Sequence, residues 1–247
     1  MKKIERKRLP TGWSRSDPEW VNLKCLWVGL ENTGTAWQAI YAALHVASRL
    51  GSKLVGIAPL DRQSREEAES AIQQFKTGAR AAGVTVQTML LPSLSGRIIQ
   101  GMDTLPDAIF IGRPQTTGRR QLEELIQNLS CPVWVVPAQS SIRKILLVEN
   151  QDPDHNSALS LALVLARRWN LSLHLLQDDN GAASLSNPGV TGKGTLFYQY
   201  RKKLDLEAFL EQIHATQADL ACVDRNSPYF STIDLCLQTD RPVAVCP

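Results

Sequence analysis

The stretch Gly118-Arg119-Arg120 is where residue types and spacing in this 247-residue chain best meet a chemical need. Backbone N–H groups at a helix start lack intrahelical partners, and the helix dipole adds partial positive charge there. Two neighbouring guanidinium groups supply planar charged donors, so the stretch can hold a phosphate or sulfate, although a solvated surface turn uses the same residues. Gly189-Val-Thr-Gly192-Lys193-Gly194-Thr195 invites comparison with a phosphate-binding G-x-x-x-x-G-K-[S/T] loop, but Asn187 and Gly194 break that pattern at both ends. It reads as a flexible loop. His45, His155, His174 and His214 lie on different elements without ligand spacing, so no metal site is expected. No Ser-His-Asp order marks a nucleophile, and no catalytic residue is assigned.

The elements that must position these residues come from a pattern that occurs twice. Cys131-Pro-Val-Trp-Val-Val-Pro137 and Arg241-Pro-Val-Ala-Val-Cys-Pro247 are short apolar runs fenced by proline, and each follows a strand opened by Asp107 or Asp219. Ahead of each pair lies the same order: an apolar strand beginning near Lys24 or Lys144, an alanine-rich helix, and a second strand. In the first copy a helix opened by the capping residue Ser64 runs to Ala82, with Gly83 as its stop. Strict β-α alternation implies parallel sheets covered on both faces, with right-handed crossovers. The expected fold is therefore α/β, two tandem doubly wound parallel five-stranded sheets. Aligning Lys24 with Lys144 and Asp107 with Asp219 leaves the second copy eight residues shorter, the loss falling at the glycine-rich loop between Gln177 and Gly194. Residues 1–20 are read as a flexible basic arm, 21–139 as the first domain and 140–247 as an abbreviated second domain.

Composition narrows the partners. Lys plus Arg exceed Asp plus Glu by 27 to 24, and the arm, with Lys2, Lys3, Arg6, Lys7, Arg8 and Arg15, holds the surplus. A surface so nearly neutral argues against nucleic acid as a ligand of the domains. No membrane span or apolar leader is visible, which fits a cytoplasmic protein. Cys25, Cys131, Cys222, Cys236 and Cys246 form no C-x-x-C pair and mostly sit in strand patterns, as buried thiols do. The two Pro-Val strands are too apolar to remain open edges.

The order of motifs, twice over, resembles the universal stress protein family in its tandem two-domain form. The likeness rests on Lys24-Cys-Leu-Trp-Val and Lys144-Ile-Leu-Leu-Val, on helices ending Ala47-Ser-Arg-Leu-Gly and Ala166-Arg-Arg-Trp-Asn, on the Asp-initiated fourth strands, and on the terminal Pro-Val-x-Val. It implies a fold of the adenine nucleotide alpha hydrolase-like kind and a non-catalytic stress-response or regulatory module acting on an unknown protein partner. It also implies pairing of Pro132 to Val136 with Val243 to Cys246, within the chain or in a homodimer. The ATP-binding branch of that family carries G-x-x-G, nine residues, then Gly-Ser or Gly-Thr. Here Gly112 supplies the first glycine, but Gln115 stands at the second and Leu125-Ile126 at the last pair. The equivalent positions of the second copy are Asp224, Ser227 and Leu237-Gln238. The carboxylate expected after the first strand falls on Leu30 and Asn150, with Glu31 and Glu149 as neighbours. No cofactor is therefore expected. The alternative is an ATP or AMP sensor, or a site for another phosphate-containing anion, using Gly112, Gly118, Arg119 and Arg120.

Overall fold

The structure is a computed structural model that describes residues 23–31, 33–114, 118–138, 141–148, 157–178 and 197–247. The arm and the glycine-rich loop lie outside the described residues. Ten strands form one sheet in the order β3-β2-β1-β4-β5-β10-β9-β6-β7-β8. The first half comprises β1 (Cys25–Gly29), β2 (Lys53–Pro59), β3 (Val86–Leu91), β4 (Ala108–Gly112) and β5 (Val133–Val136). The second comprises β6 (Lys144–Val148), β7 (Ser172–Asp178), β8 (Phe197–Lys202), β9 (Leu220–Asp224) and β10 (Val243–Cys246).

Every pairing is parallel except β5 with β10, where Ala244 lies opposite Trp134 and the two halves join antiparallel. Trp134 is 1% exposed and packs against Phe110 in a tilted arrangement, with ring centroids 4.8 Å apart. A pair of five-stranded units thus shares one sheet.

Helices cover both faces because the strands are apolar on both. One face carries α1 (Gly34–Leu50), α2 (Arg65–Ala81) and α5 (Ser157–Trp169). The other carries α3 (Gly96–Gln100), α4 (Arg119–Asn128), α6 (Leu206–Thr216) and α7 (Thr232–Gln238). Local chemistry sets their ends. Ser64 and Glu67 close a capping box on α2, and Thr33, Ser95, Asp205 and Ser231 cap their own helices. Gly51 ends α1 in the left-handed region at φ 67°, and Asn170 takes that role after α5 at φ 56°.

The carboxylates of Asp107 and Asp219 lock equivalent strands into register in the two halves. Asp107 accepts from the N–H groups of Lys24 and Cys25, and Asp219 accepts from those of Arg143 and Lys144. Cys25, not Lys24, is therefore the counterpart of Lys144. Backbone hydrogen bonds fix register, and an alignment on the lysines is one residue off.

Candidate functional site

In a strand order of 3-2-1-4-5, consecutive crossovers leave β1 in opposite directions, so a crevice opens beyond the carboxyl ends of β1 and β4. The first half has a cleft of about 520 Å³ there, within the ligand-pocket range. The loop after β1 contributes Glu31 and Thr33, and the start of α1 contributes Thr35. The loop after β2 contributes Asp61, Arg62 and Gln63, and α2 adds Glu67. Gly112, Arg113, Pro114, Gly118 and Gln121 come from the β4 side.

Gly112 is required for this geometry. A Cβ there would lie 2.5 Å from the Ala36 nitrogen and 2.5 Å from the Thr35 carbonyl carbon, so β4 ends directly against the first turn of α1. Thr35 Oγ1 ties the same junction by donating to the Arg113 carbonyl at 3.1 Å. Thr33 Oγ1 accepts from the Ala36 N–H at 3.2 Å, so both cleft hydroxyls hold the scaffold. Gly118, the N-cap of α4, has no side-chain acceptor to offer the first N–H groups of that helix and borders the cleft.

Charge in the cleft is mixed. Arg62 Nη1 lies 2.7 Å from Glu31 Oε1, with Arg62 at the exposed rim and Glu31 half-buried. Burial raises the Glu31 carboxyl above its ordinary value, and Arg62 opposes that shift. Gln63 Nε2 donates to the carbonyls of Leu30 at 2.7 Å and Pro59 at 3.2 Å, stitching the ends of β1 and β2 together. Its Oε1 is buried with no hydrogen-bond partner, an acceptor that a ligand donor can satisfy.

No family model matches the chain, and no curated protein matches it. Solved structures do match. A universal stress protein from Archaeoglobus fulgidus DSM 4304 superposes with a TM-score of 0.68 at 11% identity, over 92% of this chain and 97% of that one. The fold is that of the universal stress proteins. A protein from Pseudomonas aeruginosa UCBPP-PA14, provisionally named a universal stress protein, matches at TM-score 0.63 and 15% identity, covering 92% of this chain and 94% of its own. A functionally unknown protein from Pseudomonas aeruginosa PAO1 matches at 0.62 and 16%, covering 92% and 93%.

Within this universal stress protein fold the residues singled out in the sequence separate. Gly112 and Gly118 line the cleft; Arg119 and Arg120 do not. Arg119 turns to the second half, with Nη1 2.8 Å from Asp234 of α7 and Nε 3.0 Å from Glu123, while Arg120 is exposed. Of the two positions considered after β1, Leu30 is fully buried in the core and Glu31 faces the cleft. The corrected register makes Asn150 the counterpart of Glu31; residues 149 and 150, like Gln115, lie outside the described residues. Sequence reading missed Arg62, Gln63 and Arg113. A signal for the first two exists, since any loop leaving β2 beside β1 must border the same crevice.

Arg113 and Arg225 are counterparts that cross between halves. Arg113 Nη1 donates to the Thr239 carbonyl at the end of α7 at 2.9 Å, and Arg225 Nη1 donates to the Gln127 carbonyl near the end of α4 at 2.6 Å. Each places a cation at a helix C-terminus, where the dipole favours it.

The second crevice is built differently. Asp224 ends β9 where Gly112 ends β4, is 6% exposed, and accepts the Ala158 N–H of α5 on Oδ1 at 2.9 Å. A carboxylate of the chain itself thus holds the place at the helix start that a bound anion would take.

Proposed function

We propose that this chain is a non-catalytic member of the universal stress protein family, a cytoplasmic regulatory module acting through protein interaction, whose first half keeps one ligand cleft while the second has lost its own. Residues 21–139 and 140–247 form its two domains, and their pairing through β5 and β10 stands in for a homodimer.

The unequal strand ends support this reading: β4 ends in Gly112 beside the cleft, whereas β9 ends in Asp224, whose carboxylate is bonded to the start of α5. The ligand is a nucleoside or nucleoside monophosphate. The carboxylates of Glu31 and Asp61 and the free Gln63 Oε1 suit ribose hydroxyls and an amino group. A polyphosphate finds little, because Arg113 and Arg119 are engaged elsewhere and three carboxylates border the cleft. Thr33 and Thr35 are committed to backbone contacts rather than to a ligand.

Calorimetric titration of the purified chain with adenosine, AMP and ATP tests it. One site per chain is expected for adenosine or AMP, with ATP about tenfold weaker or more. Gln63→Leu should weaken adenosine binding. Two sites per chain, or tightest binding of ATP, would sink the proposal.

A further inference from the structure

The wall of the cleft that is formed by the chain after β4 also holds the second half. Gly112, Arg113, Pro114 and Gly118 line the cleft, and Arg119 follows at once in the chain. Arg113 and Arg119 reach the same helix, α7, and take hold of its two ends. Arg119 Nη1 lies 2.8 Å from Asp234 in the first turn of α7, and Arg113 Nη1 donates at 2.9 Å to the carbonyl of Thr239, the C-cap. The two contacts differ in exposure. Thr239 is 2% exposed, and its carbonyl lies at a helix end where the dipole favours a cation, so Arg113 is firmly engaged. The side chains of Arg119 and Asp234 are 49% and 33% exposed, and water weakens their attraction, so an anion can compete for Arg119.

Direction alone keeps Arg119 out of the cleft. In the chain it stands between Gly118 and Gln121, both of which line the cleft. Asp234 draws its guanidinium toward the seam, and its other partner, Glu123, forms an exposed i,i+4 pair that holds it only weakly. The cations that do line the cleft, among the described residues, are already committed, Arg62 to Glu31 and Arg113 to Thr239. Arg119 is therefore a guanidinium at the edge of the cleft whose availability to a phosphate depends on Asp234.

We propose that Asp234 determines the specificity of the first-half cleft from the other half of the molecule: by holding Arg119 outward, it keeps polyphosphates at a disadvantage. The inference deepens the reading of the cleft as a nucleoside or nucleoside monophosphate site and rests on it for the rest of the ligand. Asp234 touches no ligand itself; it is a positioning residue that acts through Arg119. With Asp234 replaced, the guanidinium is free to turn toward the cleft, where its paired donors match phosphate oxygens. An uncharged nucleoside makes no use of that cation, so its affinity stays the same. The second half, whose own strand end is occupied by Asp224, thus keeps a role at the site of the first.

The test is calorimetric titration of the full chain, of Asp234→Ala and of Asp234→Ala combined with Arg119→Gln, each with adenosine, ATP and inorganic tripolyphosphate. Asp234→Ala should bind ATP and tripolyphosphate about fivefold more tightly than the unaltered chain, with adenosine unchanged, because an exposed ion pair no longer competes. Adding Arg119→Gln should abolish the gain. Asp234→Asn, which keeps the shape of the side chain, should shift both polyphosphates in the same direction. Unchanged polyphosphate affinity in Asp234→Ala overturns the proposal. So does an equal gain in the double variant, which would assign the effect to the charge of Asp234 and not to Arg119. The two readings fail separately: adenosine bound by none of the proteins sinks the nucleoside reading while tripolyphosphate still decides the role of Asp234, and adenosine bound without a polyphosphate gain sinks this inference alone.

Discussion

The two halves of this molecule are built on equivalent strands in the same order, and their fourth strands end in different residues. Gly112 has no side chain, so the first turn of α1 packs directly against β4 and the space above remains a cleft. Asp224 has a side chain of the right length to reach the Ala158 N–H, and the start of α5 is satisfied from within the chain. Duplication of a fold therefore does not duplicate the chemistry at its strand ends.

The comparison assumes that the halves stand or fall together, and the seam tests that first. Trp134→Asp should cost on the order of 3–5 kcal/mol, because an unpaired carboxylate replaces a core indole. Urea unfolding followed by far-UV circular dichroism should shift as a single transition to a lower midpoint. Two separated transitions would show that each half is stable alone.

His174 of β7 gives a sharper contrast, because its counterpart in β2 is Val55. It is 6% exposed, and burial together with Lys144 pulls its pKa down to about 4. Because the folded pKa lies below the unfolded one, the unfolded chain binds the extra proton first, and stability falls as pH drops from about 6.5 toward 4. The loss attributable to this residue should be on the order of 2–3 kcal/mol across that window. His174→Val, which installs the first-half residue, should flatten the acid limb of a stability-versus-pH curve. An unchanged slope would mean that carboxylates alone set it.

The smallest expected effect concerns Asp224 itself. Asp224→Ala removes an acceptor from the start of α5 and should cost about 1–2 kcal/mol, read as a lowered denaturation midpoint. No measurable change would mean that the carboxylate is not what closes the second crevice.

Much of the fold is legible in the sequence. Proline-fenced strands, helix stops at Gly51 and Gly83, and the Ser64 capping box are local signals, and each marks the element that its chemistry implies. The apolar and aromatic run at 196–200 falls on β8, Phe197–Lys202, and the paired aspartates Asp107 and Asp219 do bind the equivalent strand starts. The site is less legible. Arg119 has the right neighbours for an anion, but its direction depends on Asp234, which lies across the seam and more than a hundred residues away. Matching Lys24 with Lys144 points to Leu30 ahead of Glu31, and only the backbone hydrogen bonds to Asp107 and Asp219 show the shift of one residue.

By itself, then, the sequence determined the class of the fold, its repeated alternation of strands and helices and nearly every element, because periodicity, caps and turn residues act over a few positions along the chain. Tertiary structure alone decided which side chains share a crevice. Glu31, Arg62 and Gly112 meet only because β1 sits between β2 and β4, and the β5–β10 seam sets the directions of Arg113, Arg119 and Arg225. Strand order and contacts between halves are fixed by burial and hydrogen bonding over long separations, and no local pattern encodes them.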